Sequence, residues 1–108
     1  MATIKNRTEI SARIKIPGEQ IAAFCRRHQI RWLAIFGSVL RDDFRPDSDV
    51  DVLVDFEPEA EPGLIGFISI MQELSDLLQH PVDLVLRDGL KPRIRDSVLN
   101  SAEVIYAA

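Results

Sequence analysis

The chain has 108 residues, enough for one domain with its own core and too few for a second domain of ordinary size. Hydrophobic residues make up 46% and charged residues 28%, which is typical of a globular protein. The 13 Lys and Arg against 17 Asp and Glu give a formal net charge of -4, which argues against a protein that coats nucleic acid. One cysteine excludes an internal disulfide and a multi-cysteine zinc site. Because signal-peptide and membrane-spanning patterns are lacking, we expect a cytoplasmic protein without membrane contact.

The predicted elements alternate between helices and strands. Residues 1–16 are polar and alternate briefly from Ile10 to Ile16, so we expect an arm or an edge segment there. Beyond them, apolar residues at helical spacing predict helices, and short apolar or alternating runs predict strands. In chain order these are helix 18–28, strands 31–36 and 49–56, helix 64–79, strand 82–86, helix 92–100 and a short strand 104–106. This order predicts a small α/β (α+β) domain with one central sheet.

Gly37 and Ser38 directly follow the strand predicted at 31–36. A glycine at this point lets the backbone approach a ligand closely. Such a turn can bind a phosphate through backbone N–H groups, with the Ser38 hydroxyl as a further donor. A lone Gly-Ser after a strand is more often only a turn. The pair therefore indicates phosphate binding only in combination with the residues that follow.

Asp49 and Asp51 are two residues apart on the strand predicted at 49–56, and valines alternate with them. Side chains at this spacing project from one face of a sheet, and adjacent carboxylates repel each other without a counter-charge. Mg²⁺ supplies that charge and is held by one or two carboxylates plus substrate phosphates. The simpler interpretation of an Asp-x-Asp strand is a solvated face of an antiparallel sheet.

Asp83 is the single acid of the apolar strand predicted at 82–86. If that strand pairs beside strand 49–56, Asp83 reaches the same face as Asp49 and Asp51. Three carboxylates could then hold two ions about 4 Å apart, the arrangement used for in-line phosphoryl chemistry. Asp83 would serve as a metal ligand or as the base for an attacking hydroxyl. Asp55 is the reserve candidate if Asp83 faces away.

Together these residues resemble a known signature. Gly37-Ser38, ten intervening residues and Asp49-Val50-Asp51 match the GS-x10-DxD motif of the DNA polymerase beta-like nucleotidyltransferase superfamily. The chain resembles more closely the minimal nucleotidyltransferase (MNT) domain antitoxins that pair with HEPN-domain toxins. This resemblance covers about residues 17 to 106, and its further matches are Arg41 and residues 46–51, 81–84, 90–92, 94–95 and 104–106.

The resemblance implies a polymerase-beta-like palm in residues 17–108, a small mixed sheet flanked by helices. It implies that Gly37 and Ser38 approach the triphosphate of ATP, and that Arg41 contacts phosphate or braces the loop. A guanidinium suits this role because it can contact two phosphate oxygens at once. Leu40 and Asp42 stand where many relatives have a small residue and a glycine, so the role of Arg41 depends on the geometry of this loop.

The resemblance also implies that Asp49, Asp51 and Asp83 bind Mg²⁺ and carry the catalysis. The leading hypothesis is an antitoxin enzyme that transfers AMP from ATP to a hydroxyl of a HEPN ribonuclease toxin. The expected acceptor is a tyrosine, and its modification would neutralise the toxin. The size of the chain favours a protein acceptor, because relatives that modify small molecules carry a further domain to hold them.

Two alternatives remain open. The protein could neutralise a HEPN partner by tight complex formation alone, with a vestigial transferase site. It could also act on RNA ends, although the acidic net charge disfavours this and we expect no direct nucleic-acid binding. A cluster of Lys91, Arg93 and Arg95 stands at a predicted helix start, where the helix dipole does not favour cations. Solvated charges are the simpler interpretation of this cluster, and an anionic neighbour such as ATP or a partner surface is the other.

Overall fold

A computed structural model describes residues 14–40, 45 and 47–108, without the side chains of residues 38 and 39. Its described residues form one four-stranded sheet in the order β3-β2-β1-β4. Strand β1 is antiparallel to β2 and to β4, whereas β2 and β3 are parallel, so the sheet is mixed as predicted. The strands are β1 Ile30–Phe36, β2 Val50–Phe56, β3 Val82–Leu86 and β4 Glu103–Ala107.

The same residues contain three helices and two short 3₁₀ turns. The helices are α1 Gly18–Arg27, α2 Gly63–Leu78 and α3 Pro92–Ser101, and the turns are Gly37–Leu40 and Arg87–Gly89. No helix in the described part of the chain is long and apolar enough to cross a membrane. The predicted fold class, a small mixed sheet flanked by helices, is therefore confirmed, and the predicted helices and strands are present with bounds that differ by at most one residue.

One face of the sheet carries the main core. The alternating valines of β2 are wholly buried on this face, against α1 and α2. Helix α1 contributes Ile21 and Phe24, and α2 contributes Leu74 and Leu78, all at helical spacing. Since side chains alternate along a strand, the other residues of β2 must point to the opposite face.

The connection from β3 to β4, which contains helix α3, runs on that opposite face. Helix α1 contacts β1 and β4, and α2 contacts β3. Because these two helices occupy the face with the main core, the connection from β3 to β4 crosses the other face. A right-handed crossover in this direction requires the same placement. Leu53 and Ala34, which pair across β2 and β1 on that face, are wholly buried. Asp51 and Asp55 lie on the same face as Leu53, Asp51 near the start of β2 and Asp55 near its end.

The amino-terminal prediction lies mostly outside the described residues, which begin at residue 14. Ile14 is buried in the core, and residues 14–17 belong to no strand or helix. The assignment of residues 1–16 as an arm or edge segment, separate from a domain at 17–108, stays a prediction.

Candidate active site

The carboxylate of Asp51 lies directly against Gly37. Antiparallel pairing of β1 and β2 puts Phe36 opposite Asp51, and Gly37 follows with a positive φ of 81°. A Cβ atom built on Gly37 would overlap Oδ2 of Asp51 and stand 3.0 Å from its Cγ. Only glycine combines this backbone conformation with this close approach. The first half of the Gly-Ser motif therefore touches one of the predicted catalytic acids.

Asp83 lies beside Asp51 on the neighbouring strand. The parallel pairing of β2 and β3 places Asp51 in register with Asp83. Residues in register on adjacent strands project from the same face, with strands about 4.8 Å apart. Asp83 is exposed between buried Val82 and Leu84, so its side chain is on the face opposite the main core. The condition set by the sequence, that strand 82–86 pairs beside strand 49–56, is met.

Asp49 precedes β2 and is exposed at the same end of the sheet. The backbone N–H of Val50 donates to the Pro81 carbonyl at 2.8 Å, which fixes the start of β2 to the residue before β3. Asp49, Asp51 and Asp83 thus lie at one end of two paired strands. Their roles in metal binding and catalysis stay predictions.

The donor set at this end fits a hard divalent cation. Mg²⁺ takes oxygen ligands and uses one or two carboxylates together with waters and substrate phosphates. Asp51 and Asp83 offer two carboxylates on adjacent strands, with Asp49 close in sequence. Within the residues that the structure describes, no three acidic, histidine or cysteine side chains are grouped closely enough to hold an ion by themselves. A cation held by two of these carboxylates would take its other ligands from waters and substrate phosphates.

The phosphate side of the site begins at the 3₁₀ turn Gly37–Leu40, where the sequence predicted a turn able to bind phosphate. The first N–H groups of such a turn have no acceptor within it, and these are the donors that a phosphate needs. The Ser38 side chain and Arg41 lie outside the described residues, so their predicted contacts with phosphate stay predictions. Ser48 shapes the turn ahead of β2, because its Oγ accepts a hydrogen bond from the backbone N–H of Arg45 at 3.1 Å.

Asp55, the reserve candidate, has a structural role. Its Oδ2 accepts a hydrogen bond from Nε of Arg31 at 3.1 Å and lies 3.7 Å from Nη1 of Arg87. The Arg87 guanidinium lies 4.3 Å from the ring centre of Trp32, a cation–π contact. Asp55 is four residues from Asp51 along the strand, about 13 Å. It is therefore remote from the other acids and tied to two arginines.

Ser75 positions strand β3, and it was not among the functional residues predicted from the sequence. Oγ of Ser75 donates to the Met71 carbonyl at 2.9 Å and accepts from the backbone N–H of Val82 at 3.0 Å. The Ser75 carbonyl also accepts from the N–H of His80 at 3.2 Å. These bonds join the last turn of α2 to the first residue of β3, directly before Asp83. A serine within an apolar helix was the only available signal, because a mid-helix serine commonly bonds to the backbone.

Cys25 is not part of this site. Its thiol is buried in α1, and burial raises its pKa to about 12, partly opposed by the charge of Arg26. Because the thiolate is the reactive form, this cysteine is a core residue and not a nucleophile.

Two adjacent carboxylates on a mixed sheet, one of them against a Gly-Ser turn, form the arrangement that the sequence predicted for nucleotidyl transfer. Residues 18–105 match the sequence profile of the nucleotidyltransferase domain, and the chain belongs to that family. It is 44% identical over 80 residues to protein adenylyltransferase MntA of Thermococcus cleftensis, covering 74% of this chain and 77% of that protein.

Solved structures with a similar fold agree with membership of the nucleotidyltransferase family. The fold matches a minimal nucleotidyltransferase with a TM-score of 0.64 and 39% identity, covering 79% of this chain and 85% of that one. It also matches the complex of a tri-AMPylated Shewanella oneidensis HEPN toxin with its MNT antitoxin, with a TM-score of 0.53 and 20% identity. That match covers 84% of this chain and 70% of the other, and at this identity it supports the fold alone.

Proposed function

We propose that this protein is an antitoxin that transfers AMP from ATP to a hydroxyl of a HEPN-domain toxin in the cytoplasm and thereby neutralises it. The observation that carries the proposal is the contact of Asp51 with Gly37 and its register with Asp83. It joins a predicted phosphate turn to a pair of carboxylates. The similarity to a protein adenylyltransferase supports AMP as the transferred group and a protein as the acceptor.

In this proposal the residues divide the reaction between them. The backbone of Gly37–Leu40, with Ser38 and Arg41, holds the triphosphate, and Asp49, Asp51 and Asp83 hold magnesium. Magnesium, when bound, neutralises phosphate charge and makes the acceptor hydroxyl more acidic. Asp83, exposed on its strand, orients that hydroxyl and accepts its proton. The acceptor oxygen bonds to the α-phosphorus, the bond from that phosphorus to the β-phosphate bridging oxygen breaks, and pyrophosphate leaves.

The exposure of the site supports a macromolecular acceptor. Asp49 and Asp83 are both exposed, so a hydroxyl on the surface of a second protein can reach them. A tyrosine is the acceptor that the resemblance to MNT antitoxins implies.

The test combines the purified protein, its proposed HEPN-domain partner, Mg²⁺ and ATP labelled at the α-phosphate. We expect label on the HEPN protein, located by mass spectrometry, and its loss in Asp51→Asn. The matched control is Asp88→Asn, which removes an exposed carboxylate in the Arg87–Gly89 turn, at the far end of β3 from Asp83. Full transfer by Asp51→Asn, or label on RNA and not on the HEPN protein, would contradict the proposal.

A non-catalytic antitoxin is the second candidate, and a cell-protection assay separates the two. The doubly substituted protein Asp49→Asn, Asp51→Asn keeps the shape of both side chains and removes both charges. Loss of protection at native expression level supports catalysis. Full protection by this variant means that complex formation alone neutralises the toxin.

A further inference from the structure

An exposed apolar and acidic surface lies at the start of α2, and we call it the acidic patch. Leu64 and Ile65 are 76% and 85% exposed, unusually high values for large apolar side chains on a helix. Ile68, one turn further on, is 39% exposed. The patch consists of these three residues with Glu57, Glu59 and Glu61 of the preceding loop.

The charge of this patch is not neutralised within the described chain. None of its three glutamates has an ion pair or side-chain hydrogen bond with another described residue. Arg27 lines a cleft with Glu61, but its guanidinium is bound to Glu73 at 2.6 Å. The patch therefore presents apolar side chains beside three uncompensated negative charges.

A second exposed surface, the basic patch, lies between β3 and α3. Its exposed apolar residue is Ile94 of α3, which is 48% exposed. Its cationic residues are Arg87, Lys91, Arg93 and Arg95. With Asp88 and Asp96, residues 87–96 hold four cations and two acids, a net charge of +2.

Two of the four cations of the basic patch do not stabilise their own helix. Lys91 and Arg93 stand at the start of α3, where the helix dipole disfavours positive charge. Neither has an ion pair or side-chain hydrogen bond with another described residue. Their placement is therefore unexplained by contacts among the described residues and favours an anionic neighbour.

The two patches lie at the same end of the sheet and on opposite faces. Strands β2 and β3 are parallel, so the loop after β2 and the turn after β3 leave the sheet at one end. Helix α2 starts from that end on the face of the main core, and α3 starts from it on the other face. The predicted catalytic acids Asp49, Asp51 and Asp83 occupy the opposite end.

We propose that two copies of this chain associate end to end, with the acidic patch of each on the basic patch of the other. A two-fold axis in the plane of the sheet, perpendicular to the strands, exchanges the two faces of the sheet. This operation brings each patch onto the opposite patch of the second copy, so both contacts form at once and the assembly closes as a dimer. Opposite charges then meet around apolar side chains, the usual arrangement of a specific interface.

The dimer leaves both active sites open. Each set of carboxylates lies at the outer end of its own sheet, so two acceptor proteins can be engaged at the same time. This inference does not depend on the proposed adenylyl transfer, because the two patches share no residue with the predicted site.

Sedimentation velocity of the full chain provides the first test. Two patches, of six and five residues, form a small interface, for which we expect a dissociation constant in the micromolar range. At about 100 µM and low salt the mass should therefore be twice the 12.2 kDa of one chain, and high salt should lower the dimer fraction by screening the charges. A monomer under the low-salt condition, or species that grow beyond a dimer, would overturn the proposal.

Charge reversal provides the sharper test. We expect Glu59→Lys with Glu61→Lys to be monomeric, and likewise Lys91→Glu with Arg93→Glu. An equimolar mixture of the two variants should restore the dimer, because each reversed patch then faces a reversed partner. Dimers formed by either variant alone, or no recovery in the mixture, would refute the pairing of these patches.

A variant without charge changes tests whether the dimer can be lost while the fold stays intact. Leu64→Ser with Ile65→Ser removes apolar area at exposed positions, so circular dichroism should show an intact fold and sedimentation a monomer. If the same patches bind the HEPN protein and never a second copy, they form a partner surface and the homodimer is wrong. Adenylyl transfer, measured separately, reports on the proposed function and not on the dimer.

Discussion

Replacing Gly37 by alanine tests the link between the phosphate turn and the carboxylates. The added Cβ would overlap Oδ2 of Asp51 and stand 3.0 Å from Cγ. The clash involves the short side chain of a central strand, so Asp51 has to move by about 1 Å or the turn has to open. Either response disturbs the contact on which the proposed chemistry depends.

Gly37→Ala should reduce both the stability of the fold and the rate of transfer. Alanine at the positive φ of 81° costs about 1–2 kcal/mol, and about 1 kcal/mol lowers the melting temperature of a domain this size by roughly 4–8 °C. A misplacement of about 1 Å at a catalytic group can cost about 100-fold in rate. We therefore expect Gly37→Ala to lose about two orders of magnitude in transfer rate with a moderate loss of stability.

Gly63→Ala is the matched control, because Gly63 has a positive φ of 68° but no atom within 4 Å of a built Cβ. It should lose similar stability and keep its activity. The assay is adenylyl transfer under saturating ATP, alongside thermal unfolding of both variants. Equal activity in the two variants would refute the argument that Gly37 is required for the position of Asp51.

Three further predictions concern other parts of the fold. Cys25, with its pKa raised from 9.0 to about 12, should resist thiol reagents at pH 8 until the protein unfolds, and labelling of the native protein at the unfolded rate would contradict this. Because the unfolded thiol ionises first, the free energy of unfolding should fall as pH rises between these two values. Asp55→Asn should lose about 1 kcal/mol or less through the Arg31 ion pair, measured by urea unfolding, with unchanged transfer. Ser75→Ala should lose about 1–3 kcal/mol, because the buried N–H of Val82 loses its acceptor, and unchanged stability would exclude this role.

The sequence predicted the elements well, because their periodicity is local. The two-residue spacing of Asp49 and Asp51 and the valines beside them placed the acids on one face without any knowledge of neighbours. The position of Asp83 could be stated only as a condition, since strand pairing depends on the whole chain. The arginine partners of Asp55 were missed for the same reason: Arg31 lies 24 positions away and meets it only through the pairing of β1 and β2.

The different surroundings of the two paired acids argue for different roles. Asp51 is on a central strand, bonded on both sides and held against Gly37, so its carboxylate is well placed to fix a cation in one position. Asp83 is on the outermost strand of the described sheet and is exposed, so an incoming hydroxyl meets it first. Ser75 and the Pro81 carbonyl tie the start of that strand to α2 and β2, which keeps the exposed Asp83 in register with the half-buried Asp51. The geometry thus favours Asp51 as the anchor of the metal and Asp83 as the group that receives the acceptor.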